Sequence, residues 1–557
     1  MNELLRANLA HLDSTLADTV ARAHVRADEI IDRSRDGYQI NGVELSGRAR
    51  FFHSRYSVDA ECARLVDTAR PAGFLVVFGL GLAHHVRRFA DAGIRVVVVE
   101  PDPALIRSAL SRMDLTQQLR SGRIRVVFGP EGLVDAVATH YNASLDGRLM
   151  TVDLDGRVSV DPASFQPFRV RLNDLVGSIV ADVTTQAAFA RQWVRNAIGN
   201  LVATARGEIT TRALPDWSGR HVVVAAAGPS LEAHIDWIAR NRAGVFLLAT
   251  DTALPSLQSF GTQPDLVASI DCQHISYMHE LTALERPAQR ACDLSVPGHV
   301  AASADAVTLL LSHHPLHQFL SLLGYAADTI DAGDGTVTGA SVRLALSRDA
   351  RSVTLAGADL SYPNGFGYCR GSYIDAFHAA RANRVDPLCG RHFSFVADRP
   401  GLVVDPKTGV RTTGLMLTYR ERLITAARAA ARPVFALPCD LGLPLPAPPL
   451  RVDADPQRTS RASTPELEQP SVGTPAVADL LRVLRDRLHA VPRDEIAYRA
   501  SLDLSREPLE RAAASCLLPA VHARRVAGDA SPLARVLHEA ADEIVGIIDA
   551  GLSALRR

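Results

Sequence analysis

The chain has 557 residues, 47% of them hydrophobic, and 60 Lys and Arg against 61 Asp and Glu, a formal net charge of −1. That length and composition support several cored domains and exclude a disordered or fibrous chain. The near-zero charge excludes long-range attraction to nucleic acid or an anionic membrane. Lys407 is the only lysine, so there is no Gly-Lys-Ser/Thr phosphate loop, and Schiff-base chemistry is not expected.

From the amino terminus, Leu5, Leu9, Leu12, Leu16 and Val20 recur at three-to-four spacing, which predicts one amphipathic helix over residues 2–33. This start carries Glu3 and no continuous apolar core, unlike a signal peptide. Residues 37–70 read as a short strand followed by a helix near Val58–Arg70. "FLVVFGLGLAHHVRRFADAGIRVVVVEPDPALI" (74–106) reads strand, glycine turn, helix, strand, the pattern of a Rossmann-like half. Glu100 follows Gly79 by 21 residues, where a ribose-binding carboxylate would sit, but His84 replaces the third glycine of the fingerprint. A nucleotide site and a scaffold that keeps the turn without the ligand are both open readings. Residues 161–212 predict a helical connector.

A second unit with the same grammar begins at "HVVVAAAGPSLEAHIDWIARNRAGVFLLATDTALPSL" (221–257). Its first strand stops at Gly228-Pro229-Ser230, a turn that leaves backbone N–H groups at a helix N-terminus, where an anion is favoured. Its second strand ends at Asp251-Thr252. Further strands are predicted at 264–271, ending in Asp271; at 306–312, before His313-His314; and from 351, ending at Asp359. The loop "DAGDGTVTGASVRLAL" (331–346) places Thr338 and Gly339 ahead of an apolar helix, a second possible phosphate cradle. This alternation predicts an α/β fold with an open, mostly parallel central sheet, preceded by the smaller Rossmann-like unit. The expected divisions are a mixed region 1–72, a Rossmann-like domain 73–160, the connector 161–212, a central domain 213–440, a Pro/Ser-rich linker 441–475 and a helical module 476–557.

The seven cysteines form no Cys-x-x-Cys pair, so reduced thiols in a cytoplasmic protein are expected. No apolar run approaches the roughly 20 residues that span a bilayer. Ligands of parallel sheets bind beyond the carboxyl ends of the strands, which is where Gly228, Pro229, Ser230, Asp251, Asp271 and Asp359 fall. Any one such Asp is as readily a helix cap; three on three strands point to a site.

In order and spacing, "AAAGPSL", "LLATDTALPSL", "GTQPDLVASIDCQ", "DGTVTGASV" and "LAGADLSYP" resemble the motility accessory factor (Maf) glycosyltransferases, whose central domain is shared with MptE-like hydroxymethylpterin pyrophosphokinases. "FFHSRYSVDAECARLV" and "FLVVFGLGLAHHV" resemble the amino-terminal part of Maf proteins, so the resemblance spans about residues 45–440. Ala226 and Ala227 depart from it, since many members carry Gly or Asn there. The resemblance implies a sialyltransferase-like central domain that moves a nonulosonic acid, pseudaminic or legionaminic in type, from its CMP-activated form to Ser or Thr of flagellin.

For that chemistry the phosphate donors would be the backbone around Gly228, Pro229 and Ser230, with Thr338, Gly339 and the phenols of Tyr362 or Tyr373. Asp271 is the first choice of base and His274 the second. Asp251, Thr252 and Asp359 would hold ribose or base groups. No metal is required, because CMP carries one phosphate, although Mg²⁺ is compatible. Two alternatives remain: a Mg²⁺-dependent pterin pyrophosphokinase, whose metal the same acids could hold, and a non-catalytic flagellin-binding assembly factor. Oligomeric state is left open.

Overall fold

A computed structural model of the protein describes residues 2–333, 335–453, 474–503 and 506–557. The chain divides into two compact units, Met1–Ala188 with Val521–Ala530, and Phe189–Ala520 with Ser531–Arg557.

In the first unit, β1 (Glu29–Arg33), β2 (Gln39–Leu45) and β3 (Arg48–Phe51) form an antiparallel meander. A parallel sheet follows, in the order β6-β5-β4-β7, from β4 (Ala72–Phe78), β5 (Arg95–Val99), β6 (Ile124–Val127) and β7 (Arg148–Asp153). Residues 1–72 are not a separate region: Leu5, Leu9, Leu16 and Val20 share one core with Leu75 and Val77 of β4. The helix predicted over 2–33 is two helices, Glu3–Leu9 and Ser14–Arg22, followed by β1. Asp13 starts the second of them by accepting the N–H groups of Thr15 and Leu16 at 2.9 and 3.3 Å, a polar cap that the apolar periodicity did not show.

The Rossmann-like turn of this unit is closed on itself. Glu100 is fully buried and pairs with Arg157 through two hydrogen bonds, of 2.7 and 3.2 Å. The N–H groups of Leu80 and Asp102 also donate to it, both at 3.3 Å. The Arg157 side chain lies against Gly79, where an added Cβ would meet it at 3.0 Å. His84 donates from Nε2 to the carbonyl of Gln39 at 2.7 Å. The carboxylate in the ribose position thus serves the fold, and this geometry supports the scaffold reading.

The second unit is built on seven parallel strands: β8 (His221–Ala225), β9 (Val245–Thr250), β10 (Leu266–Ser269), β11 (Gln289–Asp293), β12 (Ala306–Leu310), β13 (Ser352–Ala356) and, beyond a small β14 (Leu402–Val404) and β15 (Arg411–Thr413) hairpin, β16 (Val434–Ala436). Their order is β12-β11-β10-β9-β8-β13-β16. The chain winds outward from β8 to β12, then crosses back to place β13 on the other side of β8. The topological switch therefore lies between β8 and β13. β11 and β16 are additional to the strands expected from the sequence. From the helix Pro162–Ala205, Asn196 donates to the carbonyls of Cys272 and Ser295, and Asn200 to those of Leu294 and Val296, so this helix pins the loops after β10 and β11.

The segment expected to be a linker is docked over its described part. Pro446 accepts from the Ala436 N–H at 3.0 Å, Pro449 from the Trp237 indole at 3.1 Å, and the Val452 N–H donates to Asn241 at 2.7 Å. The remainder of that expected linker, 454–473, lies outside the described residues. Helices Thr474–Ala490 and Leu533–Arg556 pack together through buried Leu481, Leu484, Leu488, Ile544 and Ile548, and Gly551 rests on Ile198 and Val202 of the connector helix. Among the described residues no helix is long and apolar enough to cross a membrane.

Removing Arg157 would strand the buried Glu100 carboxylate. Arg157→Met is expected to destabilise the first unit by about 3–5 kcal/mol. The double replacement Glu100→Gln with Arg157→Met should recover much of that loss, as read by thermal unfolding.

Candidate functional site

The crevice at the switch point is made by the turns that follow β8 and β13. Ala226 and Gly228 donate their N–H groups to the carbonyls of Ala356 and Gly357 at 2.8 and 2.9 Å, so the two turns continue the ladder beyond the sheet. This approach requires glycine on both sides. A Cβ on Gly228 would overlap Asp359 Oδ2, and one on Gly357, whose φ is +67°, would overlap the Ala226 carbonyl. Ser230 donates to Asp359 Oδ2 from both its N–H (3.1 Å) and its hydroxyl (2.8 Å). The anion at the start of helix Leu231–Asn241 is thus a side chain of the protein itself.

Asp359 is only 2% exposed. Burial pushes its carboxyl pKa up, against the lowering effect of the Ser230 bonds. Its Oδ1 is buried without a hydrogen-bond partner. Behind the turn, His234 accepts the Gly357 N–H on Nδ1 at 3.0 Å and donates from Nε2 to the Pro438 carbonyl at 2.8 Å. Those two bonds fix one neutral tautomer, and burial lowers its pKa further from the charged form.

A second cluster lies beyond β9 and β10. Asp251 opens a short turn, Asp251–Ala253, and accepts the Thr252 N–H and hydroxyl at 2.7 and 3.1 Å. Asp271 accepts the Gln273 N–H at 2.9 Å. Burial raises the pKa of the Asp271 carboxyl, and the charge of Asp251 raises it further. On the helix Tyr277–Leu281, His279 feels both acids: burial lowers its pKa, while Asp251 and Asp271 pull it back up. Its Nδ1 is buried without a partner, and its ring lies 6.1 Å from that of Tyr373, edge on. The neighbouring Glu280 forms an ion pair with the wholly buried Arg290 of β11, which also donates to Ser269 Oγ at 3.0 Å. Burial raises the Glu280 carboxyl to about 7 despite that partner.

The expected residues thus fall into two groups. Gly228, Pro229, Ser230 and Asp359 meet at the switch point; Asp251, Asp271 and Tyr373 lie around His279, and Thr252 is bonded to Asp251. The N–H groups assigned to a phosphate are largely committed within the fold: Gly228 to Gly357, Ser230 to Asp359, and Gly339 to the Thr336 hydroxyl at 3.0 Å, which caps helix Val337–Ser347. That helix starts at the same end of the sheet, because Thr329 pairs in parallel with Leu311 before the loop. Thr338 is half-buried there. Tyr362 is 5% exposed and its N–H bonds the Arg411 carbonyl at 2.7 Å; burial raises its phenol pKa. His274 stacks flat on His299, with ring centroids 5.2 Å apart, and no hydrogen bond joins it to Asp271. His279, Glu280 and Arg290 were missed in the sequence. The sequence carried no clear signal for them, because β11 is a polar segment whose burial rests on tertiary partners. Among the described residues, no group of three or more His, Cys, Asp or Glu is placed to hold a metal ion.

With this geometry in hand, three likenesses can be placed on the chain. Residues 195–365 match the family model described as 6-hydroxymethylpterin diphosphokinase MptE-like. A stretch of 142 residues is 36% identical to an uncharacterized protein of Treponema pallidum (strain Nichols), covering 25% of this chain and 66% of that protein. The structure of the Maf glycosyltransferase from Magnetospirillum magneticum AMB-1 superposes with a TM-score of 0.59 at 15% identity, over 100% of this chain and 96% of the other. The chain therefore has the fold of that glycosyltransferase over its full length and carries an MptE-like domain, whose matched residues run from the connector helix to the turn beyond Asp359.

Proposed function

We propose that the protein is a glycosyltransferase that moves a nonulosonic acid from a CMP-activated donor to Ser or Thr hydroxyls of flagellin. The observation that carries this reading is the extent of the structural likeness. It runs through both α/β units and the helical region, whereas the pterin-kinase family model accounts for residues 195–365 alone. A kinase of the latter kind has no evident use for the rest of the architecture.

The site can host the reaction. Departure of CMP places positive charge on the anomeric carbon and negative charge on the phosphate, and donors aimed at the phosphate stabilise the transition state above the ground state. With several backbone donors already engaged, the hydroxyl of Thr338 and the phenols of Tyr362 or Tyr373 are the groups left for that task. The unpartnered Oδ1 of Asp359 is suited to a donor on the ribose or base. A group beyond β9 and β10 then takes the acceptor proton.

The MptE-like match keeps a second reading in view, transfer of diphosphate from ATP with Asp251, Asp271 and Asp359 holding Mg²⁺. Calorimetry with CMP and with ATP, each with and without magnesium, separates the two. CMP binding that needs no magnesium is expected; ATP binding that requires it would favour the kinase. Asp359→Ala should weaken CMP about tenfold or more, given about 1.5–3 kcal/mol for a hydrogen bond to a charged group.

Flagellin from cells lacking the protein should lose a nonulosonic-acid increment in intact mass. Equal masses with and without the protein would count against transfer and leave the assembly-factor reading.

A further inference from the structure

We propose that His279, beside the Asp251 and Asp271 carboxylates at the ends of β9 and β10, is the group that accepts the proton of the acceptor hydroxyl. This rests on the glycosyl-transfer reading above. The sequence points to Asp271, but one oxygen of its carboxylate is engaged by the Gln273 N–H of its own loop. His274 is held in its stack with His299. His279 has a buried ring nitrogen with no partner and two acids close enough to influence it. Its helix is anchored from below by the Glu280–Arg290 pair, so the imidazole is held on a fixed element.

In the step itself, the acceptor oxygen forms a bond to the anomeric carbon as the bond from that carbon to the phosphate oxygen breaks. The electron pair leaves with CMP, and the hydroxyl proton passes to His279. The resulting imidazolium is stabilised by Asp251 and Asp271 and returns its proton to solvent. The charged and titratable groups facing the ring are those two acids, Arg290 of β11, which opposes protonation, and Tyr373 of helix Tyr373–Ala379. Glu280 follows on the same helix, and His299 on helix Gly298–Ala301 packs against Tyr277.

The test uses the full-length protein with a CMP-activated pseudaminic acid and flagellin. His279→Gln should bind CMP within about threefold of the unmodified protein and transfer sugar about 100-fold or more slowly, with the acidic limb of the pH–rate profile lost. Asp271→Asn should move that limb to lower pH, because a carboxylate that favours imidazolium has been removed. Transfer by His279→Gln within threefold of normal, or an unmoved limb in Asp271→Asn, overturns the assignment while leaving CMP binding and the wider reading intact. Failure of the unmodified protein to bind CMP at all overturns the wider reading, and this assignment with it.

Discussion

The second unit depends on the junction where β8 and β13 run side by side and their turns are stitched together. Two glycines let the backbones touch, and Asp359 then occupies the N-terminus of helix Leu231–Asn241 through Ser230. Charge-assisted bonds of this kind contribute about 1.5–3 kcal/mol each. An unpartnered buried acceptor such as Asp359 Oδ1 costs about 1–3 kcal/mol. The two effects are of similar size, so the junction is held in register without being fully satisfied. A buried acceptor lacking a donor at the switch point of a parallel sheet sits where such folds take ligands.

How much of this was legible in the sequence depended on whether a residue's role was local. β8, β9, β10, β12 and β13 are apolar runs ending in turns, and they read directly as strands. β11 does not, because Gln-Arg-Ala-Cys-Asp looks like a surface loop. Between β10 and β12 its polar side chains are buried with partners: Glu280 pairs with Arg290, Gln289 donates to Thr308 at 2.9 Å, and Asp293 accepts the Ser295 N–H at 2.7 Å, and such partners carry no periodic signal. The three residues of β16, among prolines, gave equally little. The proline-rich stretch after it read as a linker because its docking uses backbone carbonyls, as at Pro449, rather than apolar side chains.

The same division runs through the site. Strand-end acids were readable, since the end of an apolar run fixes their place. His279 was not, because it lies on a short helix whose position is set by a tertiary ion pair. The roles of the Gly-Pro-Ser turn were also not readable in full. The sequence marked it as a place for an anion, but could not show that a residue some 130 positions later, Asp359, accepts the Ser230 N–H and hydroxyl there.

The two glycine turns of the chain make the physical distinction between scaffold and site concrete. Both follow an apolar strand, both open a helix, and both have a buried acid close by. In the first, the acid is Glu100, and a guanidinium saturates it with two bonds while filling the space against Gly79. In the second, the acid is Asp359, and its partners are a hydroxyl and an N–H on one oxygen only. Pairing with Arg157 leaves neither oxygen of the Glu100 carboxylate without a donor. Partial satisfaction leaves the second with a carboxylate whose pKa burial raises and whose second oxygen has no partner. The fingerprint of glycines and acid is thus shared, and what separates the two is whether a cation from within the fold has already answered the acid.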